Sequence, residues 1–136
     1  MENNPVPSPT STVPDPAEAR LWNMLSHLIA LTGLLGYVGF ILGPLLVWMI
    51  QREKYPSVNQ HGKESLNFQI SVLIYQLGLV IGGLVIGVLT CGIGMWVAGV
   101  LCMLLLAAHL ILIIIASAQA WSGGFYRYPY ILRLIQ

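Results

Sequence analysis

Charge is scarce in this chain. Six Lys and Arg and five Asp and Glu make up 8% of its 136 residues, against about 25% in an ordinary globular domain. A soluble domain is therefore excluded. The net charge is +1 and no basic stripe runs along the sequence, which excludes nucleic acid as a partner. Cysteine is scarce too. Cys91 and Cys102 have neither metal-ligand nor redox spacing and read as small apolar fillers. No serine or cysteine has a convincing His and acid partner, and no glycine loop joins a strand to a helix. The expectation is a protein that is not an enzyme and carries no metal or cofactor.

Apolar sequence is what the chain has in excess. It is 57% hydrophobic, in runs far longer than the 18 or so residues that mark a membrane helix. The expected fold is all-α: an integral membrane bundle of about four hydrophobic helices. Residues 1–14 are rich in Pro, Ser, Thr and Asn. They read as a disordered cytoplasmic tail, without the basic end and apolar core of a signal peptide. Residues 15–136 read as one multi-pass membrane domain, opened by Asp15 as a cap and Pro16 in the first helical turn.

Leu21–Ile50 is ambiguous. As one helix it would be roughly 45 Å long, against about 30 Å of hydrocarbon. Its glycines favour two short helices, Pro16–Leu35 and Phe40–Gln51, hinged at Gly36–Gly39. One kinked, tilted helix is the rival. A polar loop over Gln51–Gln60 follows, then helices over Gln60–Leu89 and Met95–Trp121. Phe125–Tyr130 reads as an interfacial aromatic belt, and Ile131–Gln136 as a short tail at the interface. With four segments, all six cations lie on one side, and the positive-inside rule puts both termini in the cytoplasm. The location read from this is the cell's inner membrane.

The helix from Gln60 organises the rest. At 100° per residue, Glu64, Asn67, Ser71, Tyr75, Gly78 and Gly82 fall within an arc of about 80°. Lipid does not accept such a face, because unpaired polar groups in hydrocarbon cost several kcal/mol. It must pack as a polar seam against protein or line a wet cavity. Gly78, Gly82, Gly83 and Gly87 form two small-xxx-small pairs. These suit close packing of a helix of the same chain or a homo-oligomer contact. His27 and His109 are the intramembrane ionisable residues. His27 lies roughly 9 Å inside its helix, at the depth of Asn67 and Ser71 as partners; His109 lies near the midplane. Either they hold helix–helix hydrogen bonds, or they form a path with Glu64. A pH sensor working near 6.5 is a third reading.

Three stretches carry a resemblance: ILGPLLVW at Ile41–Trp48, HGKESLNFQI at His61–Ile70 and YRYP at Tyr126–Pro129. Together they resemble the prokaryotic family called domain of unknown function 4870. That family is distantly similar to the twenty-kilodalton membrane subunit of the chloroplast inner-envelope import complex. The resemblance implies a small four-helix membrane domain with His61, Gly62, Lys63, Glu64, Asn67, Phe68 and Gln69 on its signature. The leading functional expectation is a non-enzymatic scaffold or accessory subunit for other transmembrane segments in the bilayer, translocation-related by remote analogy. The alternative is a small oligomeric transporter or channel with a polar path along the helix from Gln60.

Overall fold

A computed structural model describes residues 16–136; the Asp15 cap and the 1–14 tail lie outside them. The described residues form four α-helices and no strand. Helix α1 spans Ala17–Leu28 and tightens into a 3-10 stretch over Ile29–Leu34. Helix α2 spans Gly39–Gln51, α3 Pro56–Leu89 and α4 Ile93–Trp121. Residues 122–136 follow without regular structure.

The ambiguous stretch is two short helices. Their turn is held by Thr32, whose Oγ1 donates to the carbonyls of Ile29 (2.8 Å) and Gly39 (3.2 Å). The return is tight because Gly39 lies against the Thr32 backbone, where a Cβ would come within 2.7 Å. Helix α3 starts at Pro56, four residues before the expected Gln60, because Pro56 suits a first helical position. Thr90 closes the α3–α4 turn: its Oγ1 donates to Ile86 O (2.7 Å) and accepts the Gly94 N–H (2.9 Å). Gly92 takes φ +97° there, a left-handed conformation that glycine adopts without strain.

Lengths decide the architecture. Helix α3 has 34 residues and α4 has 29, about 51 and 44 Å. Helix α2 has 13, about 20 Å. So α1 and α2 flank only the near half of the α3–α4 hairpin. There Ala30, Phe40, Phe68, Val72, Ile113, Ala116 and Tyr128 form the core, with a smaller cluster of Ala19, Val47, Tyr55 and Val58. Beyond it, Leu77–Leu89 and Ile93–Leu104 expose most of their large apolar side chains. The most apolar windows of α3 and α4 are only 22% and 11% buried. They are therefore not the sequestered core helices of a soluble protein, and both are long and apolar enough to cross a membrane.

The charged residues gather at the other end. Lys54 pairs with Glu18 (3.2 Å) and Arg133 with Glu64 (3.0 Å), and Arg52 lies over the Trp48 ring at 4.7 Å. Trp48 Nε1 donates to Asn59 Oδ1 (2.8 Å), tying the end of α2 to the start of α3.

Candidate functional site

The polar face of α3 is occupied by the chain's own C-terminal segment, which runs antiparallel to the helix as a strap. Tyr75 Oη donates to Tyr130 O at 2.7 Å. Ser71 Oγ accepts the Leu132 N–H at 2.8 Å and donates to Asn67 O at 2.7 Å. Asn67 Oδ1 accepts the N–H groups of Leu134 (3.0 Å) and Ile135 (2.8 Å), and its Nδ2 donates to Ile135 O (2.9 Å). Lys63 Nζ donates to Gln136 O at 2.8 Å. The two periods match: four helical residues rise about 6.0 Å, and two extended residues advance about 6.6 Å. Positions 75, 71, 67 and 63 thus meet 130, 132, 134–135 and 136.

Glu64 fixes the start of the strap. Its Oε1 accepts the Tyr128 N–H (2.9 Å) and a guanidinium N–H of Arg133 (3.0 Å), and Arg133 also donates to Tyr128 O (3.3 Å). The chain bends after Pro129, where Tyr130 takes φ +55°. The bend separates two tyrosines: Tyr130 is 92% exposed and Tyr128 1%. The Tyr128 ring stacks on Phe68 at 3.8 Å and 7°.

Tyr128 also ends a buried chain of polar rings. Its hydroxyl lies 3.2 Å from His27 Nδ1, and His27 Nε2 lies 3.0 Å from His61 Nδ1. Burial, with Tyr126 and Glu64 adding to it, pushes the Tyr128 phenol up, so it stays protonated. A phenol can both donate and accept, so the tautomer of His27 sets the direction of these two contacts, its protonated ring nitrogen donating and the other accepting. The His61 ring meets Phe125 edge-on at 5.1 Å. His109 stands apart from this chain, between the rings of Phe40 and Phe68, with Nε2 at 2.6 Å from Gln69 Oε1. His109 Nδ1 and Gln69 Nε2 have no hydrogen-bond partner among the described residues. Each carries a desolvation penalty of about 1–3 kcal/mol while it stays so.

Several placements differ from the sequence reading. His27 meets His61 and Tyr128, not Asn67 and Ser71, because the strap already takes those two. The expected aromatic belt contains a core residue, Tyr128, and the expected interfacial tail is folded onto α3. The histidines and Glu64 form no single file, since His109 pairs with Gln69. Gly62 lies under Trp48, where a Cβ would come within 2.6 Å of the ring. Of the four helix glycines, Gly83 faces Ala98 and Gly87 faces Met95 of α4, while a Cβ at Gly78 or Gly82 would meet nothing. Tyr128, Arg133 and the Gln69–His109 pair were not singled out as one site. Arg133 offered the one available signal, a lone cation in an apolar tail that needs a carboxylate. Among the described residues, no three His, Cys, Asp or Glu side chains are grouped to hold a metal ion.

Long, apolar, largely unburied helices and one charged end define a helical membrane protein. Over residues 18–135 the chain matches the model of the magnetosome magnetite crystal formation protein family, MamF/MmsF, and it belongs to that family. This corrects the resemblance drawn from Ile41–Trp48, His61–Ile70 and Tyr126–Pro129. The family is not domain of unknown function 4870, and the likeness to an import subunit goes with it. Three short motifs discriminate less than a match across the membrane domain. No curated protein and no solved structure matches the chain.

Proposed function

We propose that this protein is a non-enzymatic component of the magnetosome membrane that takes part in magnetite crystal formation by binding other transmembrane segments. The observation that carries this is the far half of the α3–α4 hairpin. It extends past α1 and α2 with its apolar side chains exposed, and a Cβ at Gly78 or Gly82 there would meet no atom of the chain within 4 Å. Small residues on an open helix face let a second backbone approach closely, and that contact drives association in lipid. The near half supports the same reading. Its polar seam is filled by the strap, which takes up hydrogen bonds of Glu64, Asn67, Ser71 and Tyr75. By the positive-inside rule the charged end faces the cytoplasm, with α1–α2 entering from that side and returning to it.

Gly82→Leu tests this. The substitution adds bulk to the open face and leaves the chain's own packing intact. The expected result is normal folding and membrane insertion, with loss of the partners recovered by crosslinking in magnetosome membranes and altered crystal size. Unchanged partners and crystals, with Gly78→Leu behaving the same way, would overturn the proposal.

A further inference from the structure

The chain occupies the two halves of a bilayer unequally. Trp96 and Trp121 stand near opposite ends of α4, 81% and 55% exposed and about 38 Å apart along the helix. That separation spans the hydrocarbon and part of each headgroup layer, where Trp rings settle. His109 lies midway between them. The tip of the α1–α2 hairpin is at that level, with the Phe40 ring 4.8 Å from the His109 ring. On α3 the same level is Val72, which shares the core with Phe40. Val72 is about 24 Å from Pro56 and about 26 Å from Leu89 along the helix. So the hairpin enters from the charged end, where Lys54 pairs with Glu18, and turns back at the midplane.

Four helices and the strap therefore fill the leaflet on the charged side. Lipid there meets the exposed Leu42, Leu46, Met49 and Ile50 of α2. In the other leaflet, among the described residues, only α3 and α4 remain, and they are drawn close together. A Cβ at Gly94 would come within 2.6 Å of the Gly87 nitrogen, and Gly83 faces Ala98; small facing residues let the two backbones approach. A helix with its side chains is 10–12 Å across, so two extra helices widen the charged side by roughly 160–230 Å².

A body of this shape displaces more lipid from one leaflet than from the other. A flat bilayer has equal leaflet areas, whereas a curved one has more area on its convex side. The wide end fits best in the convex leaflet, and insertion confined to one leaflet is sensitive to curvature. We propose that this protein recognises membrane curvature, preferring a bilayer that is convex on the side of its charged end. With that end in the cytoplasm, the preferred surface bulges towards the cytoplasm, as does a membrane closed around a crystal inside the cell. The partner is the curved lipid surface itself, so the inference goes beyond the contact with transmembrane segments and needs no second protein.

The test labels the two ends of the full chain separately. Glu53→Cys with Cys91→Ser and Cys102→Ser leaves one thiol at the charged end, and Cys102→Ser alone leaves Cys91 at the opposite turn. Both label positions are exposed. Each protein is reconstituted alone and sparsely into giant phospholipid vesicles. A membrane-impermeant fluorophore is then added outside, so that only molecules with the labelled end outward are seen. A nanotube is pulled outward from each vesicle, and fluorescence per membrane area is compared between tube and vesicle. Molecules with the charged end outward are expected to be enriched severalfold on the tube, increasingly as it narrows. Molecules with Cys91 outward are expected to be depleted. Equal density on tube and vesicle, sorting of both populations in the same direction, or the reverse order would each overturn the proposal. No partner protein is present, so this outcome is separate from that of Gly82→Leu.

Discussion

Asn67 and Ile135 exchange two hydrogen bonds, Nδ2 to the Ile135 carbonyl at 2.9 Å and the Ile135 N–H to Oδ1 at 2.8 Å. The side-chain amide copies the pattern of a peptide group in a β-ladder, so a helix side chain acts as the neighbouring strand for the strap. That solves a problem set by lipid. The last residues of this chain are apolar enough to enter a bilayer, but their backbone groups need partners there. Helix α3 supplies them from Lys63, Glu64, Asn67, Ser71 and Tyr75.

Asn67→Ala removes three bonds to the strap at once. At about 0.5–1.5 kcal/mol each, the expected loss is about 2–4 kcal/mol, with the strap released. Trypsin cleavage at Arg127 and Arg133 in detergent micelles should speed up in proportion. Asn67→Asp keeps the acceptor for both N–H groups and should lose less. Equal protection in wild type and Asn67→Ala would show that the strap is held elsewhere.

Glu64→Gln retains an oxygen for the Tyr128 N–H but gives up the charge opposite Arg133. Arg133 is 37% exposed at its side chain, so solvent screening keeps the expected loss near 1 kcal/mol. Glu64→Ala orphans the buried Tyr128 N–H as well and should cost about twice that. Thermal unfolding of the three proteins in one detergent measures the order.

Tyr128→Phe keeps the stack on Phe68 and loses the bond to His27, an expected cost of about 1 kcal/mol. Its second effect is on alkaline stability. Because burial raises the phenol in the folded protein, the folded state holds this proton above pH 10 and the unfolded chain does not. Stability contributed by the protonated phenol is complete below the unfolded value near 10 and falls above it, by up to about 1.4 kcal/mol per pH unit. Denaturation midpoints between pH 9 and 11 should show a shallower slope for Tyr128→Phe than for wild type.

Gly83→Val and Gly78→Val separate the two kinds of glycine. A side chain at Gly83 collides with Ala98 and should cost about 1–3 kcal/mol by forcing α3 from α4. The same change at Gly78 meets nothing in the chain and should leave monomer unfolding unchanged. A similar loss at both positions would mean that the Gly78 face is already packed in the purified protein.

Much of the architecture was legible in the sequence because it follows from local constraints. Apolar run lengths set the long helices. Thirty residues between Leu21 and Ile50 exceed a bilayer, and the glycines between Gly33 and Gly43 mark where the chain turns. The period of Glu64, Asn67, Ser71 and Tyr75 shows a polar face whatever it meets. Trp48 over Gly62 was not legible, since nothing in either motif names the other.

By itself, then, the sequence determined an all-helical membrane protein with its charge at one end and a polar stripe on α3. Only the tertiary structure decided what fills that stripe. The strap binds through backbone N–H and carbonyl groups, which are alike at every residue and leave no side-chain signature, and Asn67 and Ile135 are 68 positions apart. The choice among Tyr126, Tyr128 and Tyr130 was likewise tertiary. Tyr128 lies on Phe68 and His27 with Tyr126 packed edge-on against it, and the bend at Tyr130, φ +55°, leaves that ring outside.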